Sequence, residues 1–83
     1  MKRVYVLTQL SEDEEKNCVF VLGIYGTLEE AVKAMKQAYD FEKFDAEDSG
    51  YKPGAVLGCR HAMVRRSESW AEIWQIHTQE IQL

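Results

Sequence analysis

From Arg3 to Tyr39 the apolar positions change their period, and each change predicts an element. Arg3-Val-Tyr-Val-Leu-Thr-Gln9 alternates Val4 and Val6 on one side with Tyr5 and Leu7 on the other, a strand with both faces partly apolar. Ser11 to Asn17 is polar and holds four consecutive acids, Glu12 to Glu15, so it must be solvated and reads as a hairpin loop. Cys18 to Tyr25 is an unbroken apolar run of strand length. Within it Cys18, Phe20, Leu22 and Ile24 share the face expected under a helix, and Gly23 marks a bulge or a close approach. From Leu28 the spacing lengthens. Leu28, Ala31, Val32, Met35, Ala38 and Tyr39 recur at three and four residues, one face of a helix. Thr27 and Glu30 form a capping box at its start, and Glu29 and Lys33 an i,i+4 pair along it.

The second half is less regular. Asp40 to Phe44 could add another helical turn, with Phe41 and Phe44 one turn apart, but Asp40 to Gly54 reads as a long connection ending in the turn signal Lys52-Pro53-Gly54, with Tyr39, Phe41, Phe44 and Tyr51 expected to seal the open end of the core. Ala55 to Arg66 predicts a third strand interrupted by Gly58, followed by a turn at Ser67-Glu68-Ser69. Trp70 to Leu83 carries two signals. Trp70, Ile73, Trp74 and His77 have helical spacing behind a Ser69/Glu72 capping pattern, whereas Trp74 to Thr78 and Gln79 to Leu83 alternate. Richness in Ile, Trp and Thr favours a strand hairpinned with the third, with a bulge between Ile73 and Trp74.

The predicted order is β-β-α-β-β. It implies an α+β two-layer sandwich in one domain over residues 1–83, with one main helix on a four-stranded, mainly antiparallel sheet. One helix covers one side only. Val19, Val21 and Tyr25 on the other side predict a two-fold homodimer packed sheet to sheet.

Composition narrows the class. An apolar fraction of 46% suits a globular domain rather than a disordered chain. No apolar run is long enough to span a bilayer, no signal-peptide pattern follows Met1, and two cysteines fit a reducing compartment, so a cytoplasmic protein is expected. The net charge of −4 is uneven: residues 1–50 hold eleven acids against six Lys and Arg, residues 51–83 three against four. Phosphate neutralisation by the first half is disfavoured, and a basic protein surface is an admissible partner.

Candidate chemistry is sparse. Cys18, Cys59, His61 and His77 match the inventory of a structural zinc site, yet neither Cys-x-x-Cys nor His-x₃₋₅-His occurs, and two buried free thiols are expected instead. Cys59 and His61 share a strand face without a third catalytic group, and no Gly-rich phosphate loop is present. No enzymatic activity, metal or cofactor is expected. Arg60, Arg65, Arg66 and Trp70 could form a small basic and aromatic surface for single-stranded nucleic acid, the alternative reading.

Val4-Tyr-Val-Leu-Thr8, Leu22-Gly-Ile-Tyr-Gly-Thr27 with Glu29-Glu-Ala31, and a last strand at Ile81-Gln-Leu83 resemble a group of small bacterial and phage proteins, a domain of unknown function. The stretch from Asp40 to Gly54 is longer than the matching connection in that group. The resemblance implies the fold and a bacterial or phage setting, and no activity. The leading expectation is a non-enzymatic protein-interaction module, specifically a phage or mobile-element protein that inhibits a host defence protein in the manner of anti-CRISPR proteins. Its partner-binding residues are expected in two acidic segments, Glu12, Asp13, Glu14 and Glu15 in the first, and Asp40, Glu42, Phe44, Asp45, Glu47 and Asp48 in the second.

Overall fold

The computed structural model describes residues 2–50, 52 and 54–82. Met1, Tyr51, Pro53 and Leu83, which carry parts of the expected N-terminus, connection, turn and final strand, lie outside the described residues. The elements run β1 (Lys2–Glu12), β2 (Asn17–Tyr25), α1 (Leu28–Asp48), β3 (Gly54–Leu57), β4 (His61–Ser67) and β5 (Trp70–Ile81). They form one antiparallel five-stranded sheet in the order β2-β1-β5-β4-β3, with α1 packed on one face.

The α+β two-layer architecture is as expected, but the sheet has five strands rather than four. The stretch from Ala55 to Arg66 is a hairpin, not one strand. The Gly58 N–H donates to the His61 carbonyl at 2.8 Å, closing the turn. A Cβ on Gly58 would stand 2.7 Å from Cε1 of the His61 ring, so the missing side chain is what admits the histidine.

The helix also runs further than its apolar pattern announces. Its buried stripe is Ala31, Met35, Tyr39 and Ala46, with Glu42 on the same line. Asp40 to Asp48 is therefore helical, and the presumed connection shrinks to a few residues. At 1.5 Å per residue the helix is about 31 Å long, enough to carry the chain from edge strand β2 across roughly 19 Å of sheet to edge strand β3. Thr27 caps its start, its Oγ1 accepting from the Glu30 N–H at 3.2 Å. The reciprocal contact is a 3.0 Å hydrogen bond from the Thr27 hydroxyl to the Glu30 carboxylate. At the other end the Ser49 and Gly50 N–H groups return to the carbonyls of Asp45 and Glu47, and Gly50 takes φ +90°, where glycine carries no Cβ penalty.

Leu7, Ala62, Val64, Trp74 and Ile76 meet the buried stripe of α1, and the Trp74 and Tyr39 rings pack edge-on at 6.3 Å. The hairpin register decides which side of β2 joins them. Tyr25 pairs with Tyr5 and Gly23 with Leu7, so Tyr25 turns toward the helix and Ile24 away from it, the reverse of the expected orientation. A register shift between Leu7 and Thr8 makes Leu22 the extra residue of a bulge, beside the mid-strand glycine. The Tyr25 ring folds back over Gly23, where a Cβ would sit 2.5 Å from the Tyr25 hydroxyl oxygen.

Trp70 to Ile81 is a strand, paired on one side with β4 and on the other with β1. Its register with β1 is unbroken from Ala71 to Ile81, so the expected bulge at Ile73 is absent. The irregularity falls instead between Arg65 and Ser67. The change of apolar parity has a simpler cause, for β5 buries Trp74 and Ile76 under the helix while Ile73 serves the other face.

Candidate interaction surfaces

Arg66 ties the far half of α1 to the sheet. Its Nη1 donates to Glu42 Oε2 at 2.6 Å and its Nη2 to Asp45 Oδ2. The side chain is only 11% exposed, and its guanidinium lies 4.4 Å from the Trp70 ring centroid. Burial alone would lower the arginine pKa; the hydrogen bonds to Asp45 and Glu42 outweigh that and raise it. Two expected partner-binding acids thus hold the fold together. Asp40 is engaged too, in a 3.0 Å i,i+4 pair with Lys36. Glu29 and Lys33 are not among the ion pairs of the described residues.

What α1 leaves in solvent is more unusual. Phe41 is 69% and Phe44 76% exposed, although both were expected to seal the core. At about 100° per residue, Phe41 lies near 120° and Phe44 near 180° from the centre of the buried stripe. With Asp45 and Asp48 they line an open hollow of about 230 Å³. The last turn contains no basic residue, so Glu47 and Asp48 stand at the negative end of the helix dipole. Each costs the helix about 0.3–1 kcal/mol. Stability would have chosen lysine there.

The other acidic segment is a turn tip. Asp13 Oδ1 accepts from the N–H groups of Glu15 at 2.8 Å and Lys16 at 2.9 Å. Those bonds, with the Lys16 charge, hold its carboxyl below the usual aspartate value. Glu12, Asp13, Glu14 and Glu15 are all exposed and belong to the β1–β2 hairpin, whereas the second acidic group lies on the helix.

The basic residues of the nucleic-acid reading are not brought together. Arg66 and Trp70 lie on the helix side, with Arg66 neutralised. Arg65 pairs with Ala71 on the opposite side and donates to the Glu68 carbonyl at 3.4 Å. Arg60 stands in the β3–β4 turn and donates to Thr78 Oγ1 at 2.9 Å. Cys18 and Cys59 are free and exposed rather than buried, and Cys59 is in a bend rather than on a strand beside His61. No group of three or more His, Cys, Asp or Glu suited to a metal occurs among the described residues.

Two features escaped the sequence reading. Glu72, noted there only in the helical alternative that gave way to a strand, is a buried strand carboxylate that accepts from Gln9 Nε2 at 2.6 Å, Ser11 Oγ at 2.7 Å and Trp70 Nε1 at 2.7 Å. Trp74 Nε1 donates to Gln9 Oε1 at 2.9 Å, completing a network that joins β1 to β5. Alternation at Gln9 and Ser11 was the available signal. Phe41 is the second, and its i,i+3 spacing to Phe44, displaced from the core stripe, was legible.

Compared with known protein families, curated proteins and solved structures, the chain matches none. Among the described residues no helix is long and apolar enough to cross a membrane.

Proposed function

We propose that this protein is a non-enzymatic interaction module that uses the C-terminal half of α1 to bind a protein presenting lysine or arginine beside an apolar side chain. One observation carries the reading: two phenylalanines stand in solvent on the helix face opposite the core, bordered by Asp45 and Asp48. The hollow between them suits a cationic side chain. A guanidinium there stacks on a ring, pairs with Asp48, since Asp45 already holds Arg66, and meets the negative end of the helix dipole. The acids at that helix end cost stability in the free chain, and a docked cation removes the cost. Local choices that oppose stability concentrate at functional sites.

The narrower setting is a phage or mobile-element protein that inhibits a host defence protein. Small size and acidity support it, since nucleic-acid-binding enzymes carry basic clefts that an acidic surface complements. Placement of the gene among metabolic genes, away from any mobile element, overturns that setting.

The binding reading is tested by titrating the isotopically labelled chain with an amphipathic arginine-rich peptide. Shifts confined to Phe41, Phe44, Asp45 and Asp48, weakening with salt and reduced at least tenfold in affinity by Phe44→Ala, are expected. Shifts centred elsewhere, or an unchanged affinity in Phe44→Ala, overturn it.

A further inference from the structure

We infer that the helix-free face of the sheet is a self-association surface, covered in solution by the same face of a second copy. The inference goes beyond the helix-side reading and does not depend on it. In-register pairing places Val6, Leu10, Val19, Val21, Ile24 and Ile73 on this one face. Val19, Val21 and Ile24 are 68%, 63% and 64% exposed. A shallow hollow of about 400 Å³ lies among them, lined by Thr8, Leu10, Val19, Ile73, Gln75 and His77.

Three observations identify the occupant. The chain is thin for its length: its extents are 48 × 25 × 15 Å, and its radius of gyration is 13.8 Å. A compact domain of this size has a radius near 12 Å. A slab of one sheet and one helix lacks the layer that would close its second face, and a second slab supplies it.

Charge points the same way. The molecule carries −4 overall. Yet the residues lining the hollow include no acid and no lysine or arginine. Copies approaching through the hollow therefore bring no like charges together there, and the charged residues of this face, Lys2, Glu12 and Arg65, lie in the end rows of the sheet. An anionic membrane or a nucleic acid would find no cationic row here.

The area is sufficient. Five strands about 4.8 Å apart, each about eight residues long at about 3.3 Å, cover roughly 600 Å² per copy. Two copies bury roughly 1,200 Å², at the lower end of the standard range of about 1,200–2,000 Å². Stacked sheets lie about 10 Å apart with their strands crossing near −30°, and a two-fold axis through the hollow sets Val21 of each copy against the partner sheet.

Sedimentation equilibrium of the full chain tests this, with far-UV circular dichroism as the check on folding. The unmodified chain is expected to sediment at about 100 µM with twice its monomer mass, as apolar interfaces of this size allow. Val21→Glu and, separately, Val19→Glu substitute side chains already in solvent within one copy. Each is expected to keep its fold and to raise the dimer dissociation constant at least 100-fold, since a buried unpaired carboxylate opposes association. Phe44→Ala, on the other side of the slab, is expected to leave the constant unchanged. Raising salt from about 50 mM to about 0.5 M should alter it by less than about threefold, unlike an ion-paired interface. A monomer at every concentration overturns the inference, and flotation of that monomer with neutral phosphatidylcholine vesicles would reassign the face to lipid. Dimers that tolerate both glutamates overturn it as well. None of these outcomes touches Phe44-dependent peptide binding, which stands or falls separately.

Discussion

Replacing Met35 by alanine tests the register of α1 on the sheet. Met35 is fully buried and belongs to one cluster with Leu7, Ala31, Tyr39, Val64 and Trp74. Leu22, expected under the helix, is exposed, and Leu7 on β1 joins Met35 in the core instead. Truncation to alanine removes three heavy atoms from a site walled by large rings, which cannot collapse freely, and costs about 2–5 kcal/mol. At about 0.05–0.15 kcal/mol per residue the whole chain has roughly 4–12 kcal/mol of stability, and a two-layer slab with one helix belongs toward the lower value. A loss of about 3 kcal/mol lowers the melting midpoint by roughly 12–24 °C in a domain of this size. Lys36 is the control, one residue further and exposed, its pair with Asp40 lying in solvent. Lys36→Ala should change stability by less than about 0.5 kcal/mol. Thermal and urea melts of both variants, at matched concentration because association shifts the midpoint, decide the matter. If Lys36→Ala is the more damaging, the buried stripe is not Ala31, Met35, Tyr39 and Ala46, and the helix is rotated from the position described.

Thr27→Ala removes the acceptor for the Glu30 N–H, and urea melts should register a loss of about 1 kcal/mol. Gly23→Ala must push aside the Tyr25 ring folded over it; a loss of roughly 1 kcal/mol is expected. That loss should be smaller in a Tyr25→Ala background, so a double-mutant cycle reads the contact directly. The Asp13 carboxyl, held below the usual aspartate value by the N–H groups of Glu15 and Lys16, stabilises the β1–β2 turn above its unfolded pKa. That stability is lost as the pH falls through the lower, folded value. Carboxyl chemical shifts should show an acid-shifted Asp13 midpoint, with the amide signals of Glu15 and Lys16 moving in the same titration.

How much of this was legible follows from where the physics is local. β1, β2, the Thr27 cap and the helix as far as Tyr39 are set by period and capping within a few residues, and the sequence states them. Choosing strand for Trp70 to Leu83 rested on residue type, and β5 bears it out over Trp70–Ile81. The errors arise where a partner far along the chain supplies the logic. Glu42 reads as a partner-binding acid until Arg66, on β4, accounts for it. Glu72 shows no reason to be buried until Gln9 and Ser11 arrive from β1. The facing of β2 is fixed by pairing with β1, and a one-residue bulge at Leu22 undoes any count of alternate positions. The acidic stretch from Asp40 to Asp48 shows the same limit, for its composition is visible in the sequence and its division into structural and solvent-facing acids is not.

The two proposed surfaces lie on opposite sides of a slab about 15 Å thick, and that separation has a consequence neither surface has alone. Pairing through the helix-free faces turns both α1 helices outward, so a dimer presents two copies of the Phe41, Phe44, Asp45 and Asp48 surface to different parts of a partner. Each surface alone is small, and an open hollow of about 230 Å³ holds one cationic side chain rather than a standard-size interface. Two such contacts on one rigid particle make the second binding step intramolecular, and the gain reaches about 10²–10⁴ without any new contact when the partner repeats its basic site at the matching distance. A partner with one site gains nothing. Val21→Glu, which separates the copies, should therefore leave peptide binding at Phe44 intact while weakening capture by a surface displaying many copies of that peptide. Equal binding of the peptide-coated surface by the unmodified chain and by Val21→Glu would mean that the two faces do not cooperate.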